Sequence, residues 1–174
     1  MNNMKKIIAL VFIVALVPLT AVMAQDDTAA LEEANKELVR QFFTEVFTAG
    51  EPDAFSEFLS PDFIDHELPP GMEGMTDAEA VAFGISELAS VTTDFEFVII
   101  DMVAEGDKVA IIGTWTGTHS GDYMGNPATG NEFEIPVFDL VRVEDGLIME
   151  HWGVTDNLAF GMAFGMIPPM EEGM

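Results

Sequence analysis

The chain has 174 residues, enough for one domain with short extensions, and sets 31 acidic residues against 6 basic ones, a formal charge of −25. That charge excludes a protein whose main task is to neutralise nucleic-acid phosphates or an anionic membrane surface, because either partner would be repelled. The absence of cysteine excludes disulfides, thiolate metal sites and cysteine nucleophiles, while 49% hydrophobic residues with 14 Phe supply a core.

Residues 1–24 read as a secretory signal peptide: Lys5-Lys6, then the uncharged run Ile7 to Val17, Pro18, and Val22-Met23-Ala24 before Gln25. Cleavage after Ala24 would put the mature protein in a periplasm or outside the cell, with no membrane attachment. An uncleaved anchor is the alternative, since Ile7 to Ala24 is near the lower length for a span. No acid precedes Asp26, so a chain beginning at Gln25 keeps all 31 acids and four bases, a formal −27.

The next segment, 25–157, reads as one α+β domain. Asp26, Asp27 and Thr28 offer a helix start, and Leu31, Leu38, Phe42 and Val46 with Val39, Phe43 and Phe47 form a broad apolar stripe running to Gly50. A short helix is expected from Pro52 to Leu59, stopped by Ser60-Pro61, followed by a short extended piece at Phe63-Ile64. Thr76 and Glu79 form a capping box that opens a helix carrying Val81, Ile85 and Leu88 on one face. Four strands follow, at Phe95–Ile100, Val109–His119, Phe133–Val143 and Leu147–Thr155, with turns at Glu105-Gly106-Asp107 and Glu144-Asp145-Gly146. Helices followed by a meander predict an α+β domain with an antiparallel sheet curling around the helices. Residues 158–174 form a Met/Gly/Pro-rich tail, with Met162, Met166, Met170 and Met174 spaced as one helical stripe expected to pack on the body or on a partner.

Alternation along the strands picks out the polar residues that matter. Val109, Ile111, Gly113, Trp115, Gly117 and His119 share one face, and Asp139 shares a face with Phe133, Ile135, Val137, Val141 and Val143. A carboxylate among apolar neighbours is drawn towards general acid or base use, unless a cation or hydrogen bonds hold it ionised. Asp139 equally suits a purely structural role. The three histidines, His66, His119 and His151, are candidate proton shuttles near neutrality. Their separations offer none of the local spacings of a metal site, so no metal is expected, and the chain has neither a phosphate loop nor a dinucleotide fingerprint. His151 and Trp152 have opposite parity, so only one of them can face a cavity.

Several segments, taken in order, resemble the SnoaL-like polyketide cyclases, also called ester cyclases: Asn35 to Gly50, Pro61-Asp62-Phe63-Ile64-Asp65-His66, Gly113-Thr114-Trp115 and Gly117 to Gly121. Met124 to Gly130, Phe138-Asp139 and Arg142 to Trp152 continue the match. The resemblance implies the nuclear transport factor two-like fold, a cone of curved antiparallel sheet closed by the N-terminal helices around an internal pocket. It also implies an aldol closure of a polyketide ester without metal or cofactor, and frequent pairing as a homodimer through the open face of the sheet. It places His66, His119, Asp139 and Trp152 on pocket positions. It also implies an acid/base aspartate in the loop where this chain has Gly130, which leaves Asp139 as replacement base with His119 and His66 as donors or shuttles. Trp115, Tyr123, His151 and Trp152 are the expected substrate contacts, and the expected partner is a small, apolar, oxygenated molecule. The competing reading is an exported binding module with the same pocket and no turnover.

Overall fold

The computed structural model describes residues 19–68, 72 and 74–168, with side chains from Asp27 onward. The apolar run Ile7 to Val17 lies outside these residues, and the processing site Val22-Met23-Ala24 lies in the opening turns of α1 (Leu19–Gln41). The helix runs on through a π-helical stretch, Phe42–Phe47, which buries Phe42, Phe43, Val46 and Phe47 together. Thr48 locks this widened turn by donating its hydroxyl to the Phe43 carbonyl (3.3 Å) and accepting the Phe97 N–H (3.1 Å). Gly50 then ends the helix at φ +64°, where a β-carbon would stand 2.6 Å from that of Ala89; conformation and space both require glycine.

After α2 (Pro52–Phe55) the chain enters β1 (Leu59–Asp65), so the stretch expected to end a helix begins a strand instead. α3 (Asp77–Ser90) opens with both halves of the Thr76/Glu79 capping box in place. The meander is β2 (Thr92–Glu105), β3 (Lys108–His119), β4 (Glu132–Glu144) and β5 (Leu147–Thr155). Sheet order is β1-β5-β4-β3-β2, with β1 parallel to β5 and the other neighbours antiparallel. The sheet is therefore mixed, a correction to the all-antiparallel expectation. β1 reaches its place only after α3 and three strands have been traversed, a pairing that no local pattern encodes.

The sheet curves over the helices. At Gly113 a β-carbon would lie 2.6 Å from the Phe97 ring, so the aromatic side chain covers bare backbone and lets β2 and β3 bend inward. One apolar core results, built from the Phe42–Phe47 stretch, Phe55, Phe97, Ile111, Ile135, Val137 and Ile148.

The described part of the tail packs on the body, as one of the two expected arrangements, but through other residues than its methionines. α4 (Asn157–Ala163), capped by the Asp156 carboxylate, sends Phe164 into the core at 0% exposure, against His119, Tyr123, Phe133 and Phe160. Residues 158–164 belong to the body, and phenylalanines, not the methionine stripe, anchor them; Met166 is exposed. Met170 and Met174 lie outside the described residues. No helix among the described residues is long and apolar enough to cross a membrane.

Candidate functional site

The cone encloses a cavity of about 410 Å³, walled by Phe42, Phe43, Phe47, Phe63, Trp115 and Phe160. Against this apolar wall stand a few polar side chains, among them Asp65, Glu67, Tyr123, Asp139 and His151.

Three of them are bonded in a row. His151 Nδ1 lies 3.0 Å from Asp65 Oδ2, and its Nε2 lies 3.0 Å from Asp139 Oδ1. A neutral imidazole can donate only one of these bonds, whereas an imidazolium donates both. Burial alone would lower the His151 pKa. The hydrogen bonds and negative charge of Asp139 and Asp65 outweigh that cost and raise it to about 9. At neutral pH the row is thus an imidazolium between two carboxylate side chains, which are only 6% (Asp65) and 9% (Asp139) exposed.

Neighbouring backbone fixes the row. Asp65 Oδ1 accepts the Glu67 N–H (2.7 Å), and the Asp65 N–H is held by Asp77 Oδ2 (2.9 Å) at the start of α3. His151 points inward because β5 is irregular: Arg142 pairs with Glu150 but Val143 with Ile148, leaving Met149 as an extra residue. That bulge shifts the parity, so Ile148 and His151 both face the core.

Asp139 Oδ2 is buried and has no protein partner, and neither has the indole N–H of Trp115. Trp115 lies opposite Ile135, four residues along β4 from Asp139, roughly 13 Å at strand rise. The cavity wall therefore carries a buried acceptor and a buried donor, each without a protein partner, on neighbouring strands. Burial, aided by the charge of Glu87, pushes the Tyr123 phenol up, so it remains a donor at neutral pH.

Of the residues singled out in the sequence, Asp139, His151, Trp115 and Tyr123 line the cavity. His66 and Trp152 do not. Asp65 and His151 are cross-strand partners facing inward, so the residue after each turns out, and the His66 and Trp152 rings stack at 4.4 Å. His66 Nε2 meets Glu150 at 3.2 Å, and Glu150 is held in turn by Arg142, so His66 serves an outer ion network. His119, at 0% exposure, is not in the cavity wall. Its Nδ1 accepts the Thr129 N–H (3.2 Å), while the Thr129 hydroxyl donates to the Ala163 carbonyl (2.8 Å). It ties the 120–131 loop to α4. Gly130 is exposed in that loop at φ +71°, with nothing within 4 Å of a β-carbon built on it. The residue the sequence reading passed over is Asp65; its shared parity with the apolar Phe63 was the available signal. Among the described residues no group of three histidine or carboxylate side chains is arranged to hold a metal ion.

The family model "SnoaL-like polyketide cyclase" matches residues 37–162. The aklanonic acid methyl ester cyclase DnrD of Streptomyces peucetius is 29% identical, over 79% of this chain and 94% of that protein. Among solved structures, TsrD from Streptomyces laurentii superposes with a TM-score of 0.66 at 27% identity, covering 78% of this chain and 97% of its own. Wild-type IdmH from Streptomyces antibioticus gives 0.61 at 30% identity, covering 75% and 98%.

Proposed function

The chain belongs to the SnoaL-like polyketide cyclase family, and on that premise we propose that its cavity carries out cofactor-independent acid–base chemistry, an aldol-type ring closure, on an esterified, carbonyl-rich and otherwise apolar substrate. The observation that carries the proposal is the row Asp65–His151–Asp139 set in an apolar wall, with Asp139 Oδ2 left unbonded. Asp139 Oδ2 removes a proton from a carbon beside a carbonyl. The electrons left behind form an enolate, whose oxygen is met by the Trp115 N–H or the Tyr123 hydroxyl. The enolate carbon attacks a second carbonyl carbon of the same molecule, forming the ring bond. The resulting alkoxide recovers the proton from Asp139, so nothing is oxidised or reduced. His151 keeps the other Asp139 oxygen engaged, and Asp65 fixes the imidazole.

Asp139→Asn tests this. General-base removal is expected to cost about 10²- to 10⁴-fold in rate with modest loss of ligand affinity. Absence of turnover on every enolisable ester, with equal ligand binding by parent and variant, would leave the binding-module reading instead; Gly130, at the position where the resemblance implies a catalytic aspartate, favours that second reading. The address read in residues 1–24 makes the working compartment periplasmic or extracellular. N-terminal sequencing of the exported protein should begin at Gln25; an intact Met1 in the cytosolic fraction contradicts it.

A further inference from the structure

Asp139 and Gly153 are cross-strand partners on β4 and β5, and both face the cavity. His151, two residues before Gly153, faces the same way, so the Asp139–His151 bond is a diagonal contact between neighbouring strands. Such a contact has to pass over the position opposite Asp139. At Gly153 an added β-carbon would lie 2.9 Å from His151 Cε1, 3.0 Å from Asp139 Oδ1 and 3.1 Å from His151 Nε2. All three are atoms of the contact or its ring. The φ of Gly153 is not positive, so its backbone does not call for glycine. The empty space does.

We propose that Gly153 is a positioning residue, whose missing side chain leaves the gap through which the Asp139 carboxylate reaches the His151 imidazole. Any side chain here enters the gap and forces the imidazole or the carboxylate aside. The site then keeps every polar group and loses its alignment. A displacement near 1 Å at a reacting group is enough to cost up to about 10²-fold in rate. The inference rests partly on the proposed acid–base role, so its test carries a readout that needs no substrate.

Gly153→Ala is compared with the parent by following the His151 ring protons by NMR across pH, with assignment confirmed by His151→Gln. The parent midpoint should sit near the raised value of about 9. In Gly153→Ala it should fall towards that of an ordinary histidine, and kcat should drop at least tenfold with a smaller change in KM. In an Asp139→Ala background, adding Gly153→Ala should leave the His151 midpoint where it was, because the contact is already gone. If Gly153→Ala does not fold, Asp139→Ala is expected to restore folding, since it removes one of the two groups that the new methyl meets and leaves the imidazole room to move off the other. An unchanged midpoint in Gly153→Ala, or a double variant no more stable than an unfolded single one, overturns the inference. A lowered midpoint with no activity in either protein upholds it and overturns the catalytic reading alone.

Discussion

His151 concentrates the physics of the site in one side chain. Two buried carboxylates can share a cavity because the imidazolium between them donates to both. The linkage sign follows from the raised pKa, which goes from an ordinary 6.5 to about 9 in the fold. The folded state holds the proton more tightly than the unfolded chain. Its stabilising effect is therefore fully present below about pH 6.5 and is lost as pH rises through about 9. A shift of that size corresponds to about 3 kcal/mol. The stability difference between the parent and His151→Gln, measured by urea unfolding, is expected to shrink by that order between pH 6.5 and 9.5. A difference constant over this range contradicts the imidazolium. Asp139 was legible because strand parity and apolar neighbours isolate it, and His151 only as one of three histidines, since the Met149 bulge decides which way it faces. Their bond was not, since it depends on a cross-strand register that no local spacing sets. Asp65 was hidden by the histidine beside it.

At the scale of elements, the sequence declares what is local and conceals what is distant. The capping box at Thr76, the Asp145-Gly146 turn and the strand parities are short-range chemistry, and each stands where its residues predict. The parallel β1–β5 pair and the Met149 bulge are long-range. They decide that Asp65 and His151 face inward while His66 and Trp152 face out. α4 shows the same division: methionine spacing suggested a stripe, but the buried contacts come from phenylalanine. Phe164 closes the wall over His119 and Phe133. Phe164→Ala should cost about 3–5 kcal/mol, the usual price of emptying an aromatic site in a core. A loss below 1 kcal/mol would show that α4 is merely laid on the surface.

Over the whole molecule, most acidic side chains among the described residues are exposed, while the outer face of the sheet also exposes Val98, Val103, Ile112, Phe138 and Val154. Ile112, Phe138 and Val154 are register neighbours across β3, β4 and β5, so the patch is continuous. We propose that a second copy of the chain covers it, as the family resemblance implies. Two strongly acidic chains repel, and salt screens that repulsion. Light scattering should find a homodimer that tightens as NaCl rises, and Phe138→Glu should give a monomer. A monomeric parent at every salt concentration contradicts the pairing.

The central claim is that Asp139 takes a proton from carbon, and isotope exchange tests it without requiring the ring to close. Enolisable keto esters that raise the melting temperature are incubated with the protein in D₂O, and deuterium at the carbon beside the carbonyl is followed by NMR. The account predicts exchange well above buffer with the parent, and a fall of about 10²-fold or more with Asp139→Asn while binding persists. Equal exchange by parent and variant, with both still bound to ligand, would contradict it.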